Sequence, residues 1–424
     1  MNGKKIFLSV TAAIMIFNSA SSEPAPNFQD NSAAVGNIQI QPANLPDWDS
    51  TNSGLNPGYT VKQMQNPRPQ IVPPGDLLPN ITATSAIVME ASTGHVIYAR
   101  NPNKKMFPAS TTKMMTLIMG LEYDKPLDIV TVSKNAYGVE GSTLFLEQGD
   151  KVPLYELLCG MMMHSGNDAA VAVAEHIDGN IKKFAEHMTE RAHEIGAVNT
   201  QFKNPHGLPD ENHFTTAQDL AILAAHGYTL AGFEEAVSTQ EKKYSWVHDP
   251  AKLLRNENQM LWLYRGGNGV KTGYTDVAGR CLVSAAKRNG IQLVAVVLDS
   301  YFMWNDSIAL LDYGFKNVDT ETVIRGGDIV KVLPVVSGHK KSIAVKTEDK
   351  ITVPVFKNDK NVSVEYDLPK VLSAPIKKGE SVGMAHVILD GKEIAHTNLI
   401  TADGDTQKSF FRLMLDNIKK IFSF

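Results

Sequence analysis

Three short motifs supply hydroxyl, amine and amide side chains that could act together in nucleophilic chemistry. They are Ser110-Thr-Thr-Lys113, Ser165-Gly-Asn167 and Lys271-Thr-Gly273. Each pattern alone is expected by chance in a chain of this length and ordinary composition. Ser337-Gly-His-Lys340, for example, repeats the first pattern within a predicted turn. The combination of the three motifs, in this order, indicates a candidate catalytic site.

The first motif has the spacing of a nucleophile and its base. Residues three apart share one face of a helix, so the side chains of Ser110 and Lys113 can meet. A serine hydroxyl attacks well only when a base removes its proton, and lysine can do so when it is neutral. Burial or a nearby cation such as Lys271 would lower the lysine pKa. Ser110 in the first helical turn also has backbone N–H groups that favour developing negative charge. A plain N-cap serine is the alternative.

The second motif is predicted to lie in a break between two helices, because apolar helical segments precede and follow it. Ser165 offers a hydroxyl that can relay a proton, and Asn167 offers an amide that can orient a substrate or a lysine. A simple turn built from Ser, Gly and Asn is the alternative.

The third motif is predicted to open a strand. Lys271 and Thr272 together suit a carboxylate, and Gly273 permits close approach of another backbone. An exposed lysine on an edge strand is the alternative interpretation.

The elements that must position these residues follow from the apolar patterns. Ser85–Glu90 and His95–Arg100 are predicted to form a hairpin, and a helix is predicted from Pro108 to about Leu121. A mixed helical region extends to about residue 235. Cys281–Ala286 and Ile291–Leu298 are predicted to form another hairpin. From about Thr320 to Thr401, short β-rich runs alternate with turns, which predicts a small all-β domain.

The N-terminus is typical of an exported protein. Lys4 and Lys5 precede the apolar run Ile6–Phe17, and small residues follow, so residues 1–22 are interpreted as a secretory signal peptide. An uncleaved anchor is the alternative. Residues 23–80 contain ten of the 21 prolines, and because proline removes backbone donors this stretch is predicted to be an extended tether.

The C-terminal residues 408–424 have helical amphipathicity. Their apolar side chains fall on one arc of a helix, while mainly basic side chains fall on the other. A helix packed on its own protein is the alternative. The two Phe pairs and the cationic flanks favour binding to a membrane surface, without spanning it.

Composition excludes several other classes of function. The net charge of −4 and the lack of a long basic run before the C-terminus predict no nucleic-acid partner. The twelve histidines form no His-Glu-x-x-His pattern, so we expect no metal site and no cofactor. Cys159 and Cys281 cannot build a disulfide framework, and their pairing stays open.

These motifs resemble those of the low-molecular-mass penicillin-binding proteins, the serine D-alanyl-D-alanine carboxypeptidases. The likeness extends to the surrounding segments, which are Pro108–Thr116, His164–Ala169, Asn204–Leu208, Gly269–Thr275 and Ala278–Cys281. The resemblance implies an α/β, penicillin-binding/β-lactamase-like transpeptidase fold, with an antiparallel sheet flanked by helices and a helical subdomain. It further implies a catalytic domain at 81–318, a β-rich domain at 319–405 and an anchor helix at 406–424.

The resemblance also implies a role for each site residue. Ser110 would be the acylated nucleophile, Lys113 its general base, Ser165 the proton relay to the leaving D-alanine and Asn167 a substrate-binding amide. Lys271 and Thr272, followed by Gly273, would bind the terminal carboxylate. The backbone N–H groups of Ser110 and Tyr274 would form the oxyanion hole. The implied partners are peptidoglycan stem peptides and, as inhibitors, β-lactam antibiotics.

Three other functions stay open beside the carboxypeptidase. A D,D-endopeptidase would use the same residues, and a silent wall-binding scaffold would lack activity. A β-lactamase is disfavoured because the second motif is Ser-Gly-Asn rather than Ser-Asp-Asn and no Glu-x-x-Leu-Asn segment occurs. The expected location is the periplasmic face of the inner (cytoplasmic) membrane, as an exported peripheral protein.

Overall fold

The computed structural model describes residues 78–412 and 414, except residues 124, 126, 249–252, 357–361 and 390. The predicted signal peptide, nearly all of the predicted tether and most of the predicted anchor helix therefore lie outside the described residues. In the described part of the chain, no helix is long and apolar enough to cross a bilayer.

The N-terminal part of the described chain mixes strands and helices. Its strands are β1 (Ser85–Glu90), β2 (Val96–Arg100), β3 (Ile129–Thr131), β4 (Lys151–Pro153), β5 (Glu241–Lys243), β6 (Leu253–Arg255), β7 (Gly267–Thr275), β8 (Gly279–Arg288) and β9 (Ile291–Leu298). Its helices are α1 (Lys113–Glu122), α2 (Leu154–His164), α3 (Asn167–Asp178), α4 (Ile181–Ile195), α5 (Ala217–Gly227), α6 (Phe233–Ser238), α7 (Met260–Leu263) and α8 (Met303–Asn317).

A five-stranded antiparallel sheet, in the order β2-β1-β9-β8-β7, forms the centre of this part. The central strand β9 is buried along its whole length, and its successive side chains enter two different apolar clusters. Helix α8 packs into the cluster on one face, and helix α5 into the cluster on the other. The predicted antiparallel sheet flanked by helices is thus confirmed.

The helical part places the first two motifs. The predicted helix after Pro108 begins as a 3-10 turn, Ala109–Thr112, and continues as α1. Helices α2 and α3 meet at Ser165, whose φ of 61° breaks the helical path. The predicted break between two helices is confirmed.

The prediction that the third motif opens a strand is wrong. Strand β7 begins at Gly267, so Lys271 lies in its middle. Gly266 lies in the turn before this strand, and Gly267 allows close packing against α7. A Cβ at Gly267 would lie 2.3 Å from the carbonyl oxygen of Met260 in α7.

The C-terminal part is all-β, as predicted from its short apolar runs. Its strands are β10 (Val318–Ile324), β11 (Ile329–Val336), β12 (Ser342–Thr347), β13 (Ile351–Phe356), β14 (Val362–Asp367), β15 (Leu372–Ser373), β16 (Ser381–Leu389) and β17 (Lys392–Thr401). A six-stranded sheet has the order β14-β16-β17-β12-β11-β15, and β10 pairs with β13. His95 stacks on Phe356 with 3.7 Å between ring centroids, which joins this part to the β1–β2 hairpin. The numerical domain limits remain predictions.

Candidate active site

Ser110 and Lys113 meet as their spacing predicted. Ser110 lies in the 3-10 turn before α1, and its hydroxyl is 2.9 Å from the Lys113 Nζ. The serine is half-buried, whereas Lys113 is completely buried in the first turn of α1. The simple N-cap alternative does not describe this serine, because no side-chain capping bond is present at the start of either helical element.

The Lys113 amine has two further partners, and both are carbonyl oxygens. Its Nζ donates to Asn167 Oδ1 at 2.6 Å and to the His206 backbone oxygen at 3.0 Å. Burial lowers the pKa of Lys113 well below its usual value, and the nearby charge of Lys271 lowers it further. Burial and the Lys271 charge therefore favour the neutral amine, which is the form that can accept a proton.

The second motif is anchored by a loop that crosses it. The Asn167 amide nitrogen Nδ2 donates to the Glu140 backbone oxygen at 2.6 Å, and the Asn167 backbone N–H donates to the Ser142 oxygen at 2.7 Å. Asn167 therefore presents its Oδ1 to Lys113. Ser165, two residues earlier, is buried with 3% of its surface exposed. The simple-turn alternative is excluded for Asn167, because its amide contacts the lysine.

Lys271 lies on the edge strand β7 but points inward. Its exposed fraction is 1%, so the alternative of an exposed edge lysine is wrong. Its Nζ lies 3.3 Å from Thr272 Oγ1 and 3.2 Å from the Thr272 oxygen. Burial lowers the pKa of Lys271, and the Glu257 carboxylate opposes this effect.

Gly273 brings β7 against the turn that carries the nucleophile. A Cβ at this position would lie 2.9 Å from the Ser110 backbone nitrogen and 3.1 Å from that of Thr111. The close backbone approach expected of Gly273 is therefore present. Tyr274 follows with an exposed ring, whose hydroxyl donates to Asp276 Oδ1 at 3.0 Å. The role of its backbone N–H remains a prediction.

Sequence analysis missed Asp168, which fixes the loop beside Asn167. Its buried carboxylate accepts the backbone N–H groups of Leu144 and Leu146 and the hydroxyl of Thr143. Phe145 lies between the two leucines with a φ of 57° and a largely exposed ring. The signal that could have found Asp168 is a lone carboxylate followed by a run of small apolar residues.

Two buried histidines beneath the site were also missed. His206 supplies its carbonyl to Lys113, and burial lowers its pKa to about 3. His213 accepts the Lys203 backbone N–H at Nδ1, and its Nε2 lies 2.9 Å from Thr112 Oγ1. Burial lowers the pKa of His213 to about 4. Both imidazoles are therefore neutral near pH 7.

Glu257 is the last residue that sequence analysis missed. Its carboxylate stands 4.0 Å from the Lys271 Nζ and is half-buried. Elsewhere in the described chain, no group of three or more His, Cys, Asp or Glu side chains is arranged to hold a metal ion. Cys159 and Cys281 are both buried free thiols and do not pair.

The arrangement can activate a hydroxyl next to a carboxylate-binding group. Ser110 has an amine at hydrogen-bond distance, while Lys271 and Thr272 offer an ammonium and a hydroxyl on the adjacent strand. This combination suits acyl transfer from a substrate that ends in a carboxylate.

Comparison with known proteins agrees with this chemistry. Residues 73–301 match the family model of D-alanyl-D-alanine carboxypeptidases, and residues 319–406 match that of the penicillin-binding protein 5 C-terminal domain. A D-alanyl-D-alanine carboxypeptidase of Bacillus subtilis is 34% identical over 339 residues, covering 78% of this chain and 87% of that protein. One of Haemophilus influenzae is 33% identical over 365 residues, covering 81% and 92%.

A solved structure shows the same fold. Penicillin-binding protein 5 of Haemophilus influenzae superimposes with a TM-score of 0.57 at 32% sequence identity, covering 78% of this chain and all of that one. The resemblance to low-molecular-mass penicillin-binding proteins is confirmed. The chain therefore belongs to the D-alanyl-D-alanine carboxypeptidase family and is a serine-type hydrolase of that class.

Proposed function

We propose that this chain removes the terminal D-alanine from peptidoglycan stem peptides through an acyl-enzyme on Ser110. The hydrogen-bond partners of the Lys113 amine support the assignment of Lys113 as the base that activates Ser110. A neutral amine has two hydrogens and one lone pair. Asn167 Oδ1 and the His206 oxygen can only accept, so they take the two hydrogens. The lone pair is then free for the Ser110 hydroxyl proton at 2.9 Å.

The first half of the reaction follows from this geometry. Lys113 removes the hydroxyl proton as Ser110 Oγ attacks the carbonyl carbon between the two D-alanines. The backbone N–H groups of Ser110 and Tyr274 would stabilise the oxyanion. The C–N bond then breaks, and the proton returns from Lys113 through Ser165 to the departing amine. Lys271 and Thr272 would hold the terminal carboxylate during these steps.

The second half releases the shortened peptide. A water molecule attacks the ester on Ser110 and loses its proton to Lys113, and the Ser110 oxygen takes a proton back as it leaves. A β-lactam antibiotic would acylate Ser110 by the same attack on its ring amide. The intact second and third motifs support this penicillin sensitivity.

Reaction with benzylpenicillin tests the assignment of the nucleophile. Intact-protein mass should show a stable adduct in the wild type and in Ser337→Ala, but not in Ser110→Ala. The Ser337 variant is the matched control, because it alters the chance copy of the first motif. No wild-type adduct with intact drug would indicate a silent scaffold. No adduct with rapid drug hydrolysis would indicate a β-lactamase.

Product analysis separates the carboxypeptidase from an endopeptidase that uses the same residues. The match of residues 319–406 to the penicillin-binding protein 5 C-terminal domain supports the carboxypeptidase. With pentapeptide and cross-linked peptide supplied together, free D-alanine should form faster than cleaved cross-links. The reverse order would overturn the carboxypeptidase preference.

We further propose that the protein is exported and lies on the periplasmic face of the inner membrane, held by residues 408–424. The apolar run after Lys4 and Lys5 supports export. Phe410 and Phe411 support surface binding, because their rings are 76% and 75% exposed. The domain limits 81–318, 319–405 and 406–424 belong to this proposal.

Sedimentation with vesicles containing anionic phospholipid tests the anchor. A chain that starts at residue 23 should bind, and removal of residues 408–424 should abolish binding. Phe410→Ser with Phe411→Ser should weaken binding, whereas the exposed Tyr366→Ser should not. Vesicle binding that survives the deletion would contradict the anchor.

A further inference from the structure

Glu257 places a carboxylate beside the buried ammonium of the third motif. One carboxylate oxygen lies 4.0 Å from the Lys271 Nζ, and the other lies 4.0 Å from the His164 Nδ1. Glu257 is one-third exposed, whereas Lys271 is 1% exposed. Among the residues that the structure describes, no other carboxylate lies within 4.0 Å of the Lys271 Nζ.

The backbone holds Glu257 in this place. Its N–H donates to the Met163 oxygen at 2.9 Å, which ties it to the last turn of α2. The two neighbours of Glu257 are buried asparagines: Asn256 donates to the Thr239 oxygen at 3.0 Å, and Asn258 Oδ1 accepts the Met260 N–H at 3.1 Å. The carboxylate is therefore fixed between α2 and β7.

The Glu257 carboxylate favours the charged form of Lys271. Burying an isolated ammonium is costly unless an opposite charge compensates for the lost water. The Thr272 oxygens near the amine are neutral, so they accept hydrogen bonds without balancing the charge. At 4.0 Å the two charged groups attract without closing a short hydrogen-bonded pair. A substrate carboxylate can therefore contact Lys271 while Glu257 stays in place.

We propose that Glu257 is the counter-ion of Lys271 and thereby sets the affinity of the site for the terminal carboxylate of the substrate. Glu257 is a positioning residue that acts through Lys271. This inference rests on the proposed function, because it assumes that Lys271 binds the substrate carboxylate.

Several charged groups share this environment. Glu257 raises the pKa of both lysines, while Lys271 lowers that of Lys113. His164 faces the other oxygen of the Glu257 carboxylate. Asp168, which lies on α3, raises the pKa of Lys113 through its negative charge. Loss of the Glu257 charge lowers the pKa of Lys271. The ammonium form of Lys271 is then lost at a lower pH, and carboxylate binding is lost with it.

Steady-state kinetics of Glu257→Gln test the inference. The substrate is a peptide ending in D-alanyl-D-alanine with a free carboxylate, and the comparison substrate is the same peptide amidated at that carboxyl group. At alkaline pH, KM for the free acid should rise by up to about tenfold, because the variant loses the Lys271 ammonium at a lower pH than the wild type does. The kcat should change less than threefold, and the alkaline limb of kcat/KM should move to lower pH. The amidated peptide should show no such change in KM.

Two matched variants complete the experiment. Glu257→Asp keeps the charge and should recover most of the wild-type KM, while Glu186→Gln removes an exposed glutamate charge on α4 and should change nothing. An unchanged or lower KM with an unmoved alkaline limb would overturn the inference, because Glu257 would then not sustain the charge of Lys271. If Glu257→Gln does not fold, Glu257→Ser removes the same charge in its place, and a wild-type alkaline limb in that variant overturns the inference equally. Failure of the proposed function itself would appear separately, as a wild type that forms no penicillin adduct.

Discussion

Lys113 Nζ lies 2.9 Å from Ser110 Oγ inside the protein, where Lys113 has no measurable exposure. The two residues share one helical face, and the lysine lies beneath the half-buried serine. The amine is therefore shielded from water while the hydroxyl faces the site. This arrangement makes the nucleophile depend on a single buried base.

Replacement of that base tests its protonation rather than its charge. Lys113→Arg keeps a cation that cannot lose its proton, so it cannot accept the Ser110 proton. We expect the rate of acylation by benzylpenicillin to fall by about 10²–10⁴, the usual contribution of a general base. Stopped-flow or quenched mass measurements give this rate. Lys340→Arg, in the chance copy of the motif, should acylate like the wild type, and an active Lys113→Arg would contradict the assignment.

The loop held by Asp168 should be sensitive to loss of one acceptor. In the wild type, both oxygens of the Asp168 carboxylate accept hydrogen bonds from backbone N–H groups. In Asp168→Asn, an NH2 group replaces one of these oxygens and cannot accept. We expect a loss of about 1–3 kcal/mol in the free energy of unfolding, the cost of leaving buried donors unpaired. Acylation should also slow, because the Glu140 backbone oxygen of the same loop accepts a hydrogen bond from the Asn167 amide, which in turn contacts Lys113.

Urea unfolding followed by circular dichroism measures this loss. Asp319→Asn is the control, because Asp319 is exposed and accepts the Thr320 N–H. That variant should stay within about 0.5 kcal/mol of the wild type. Equal stability of Asp168→Asn and the wild type would show that the loop does not depend on the carboxylate.

Sequence analysis found the residues whose neighbours in space are also neighbours in the chain. Ser110 and Lys113 are one helical turn apart, and Ser165 and Asn167 flank one helix break. Their local spacing, together with the third motif further along the chain, therefore indicated the site. The strands of the central sheet were predicted for a similar reason, since seven of the eight residues of β9 are apolar.

Apart from Asp168, the residues that were missed contact the site from distant parts of the chain. His206 acts through a backbone carbonyl 93 residues from Lys113, and no side-chain pattern signals such a contact. No motif marks Glu257 in the sequence, because its contact with Lys271 exists only where β7 packs beside the end of α2. The start of β7 was also misplaced, because the strand begins at Gly267, where the absence of a side chain allows contact with α7.

Buried His213 should make the protein sensitive to acid. Its pKa is about 4 when folded and about 6.5 when exposed, so the unfolded chain binds the proton first. Stability is thus retained above pH 6.5 and lost as the pH falls from about 6.5 to 4. For this one group, the loss between pH 7 and pH 5 is about 2 kcal/mol.

Comparison of urea midpoints at pH 7 and pH 5 isolates this contribution. His213→Asn keeps polar atoms but removes the titrating group. The difference in the free energy of unfolding between pH 7 and pH 5 should therefore shrink by about 2 kcal/mol. His206 would still contribute in both proteins. His339→Asn, at an exposed position between β11 and β12, should leave the difference as in the wild type. An unchanged difference in His213→Asn would refute the assignment of the acid sensitivity to this residue.

Gly273 should be required for the close approach of β7 to the turn that carries Ser110. In Gly273→Ala the added methyl carbon would lie 2.9 Å from the Ser110 nitrogen, so the strand or the turn must move by several tenths of an ångström. Because small displacements of reacting groups reduce rates strongly, acylation by benzylpenicillin should slow by about 10- to 100-fold. Gly290→Ala is the contrasting variant: its φ of 84° strains the backbone, but its Cβ meets nothing within 4 Å. That change should lower the thermal midpoint and leave acylation unchanged, whereas wild-type acylation in Gly273→Ala would show that the close approach has no catalytic role.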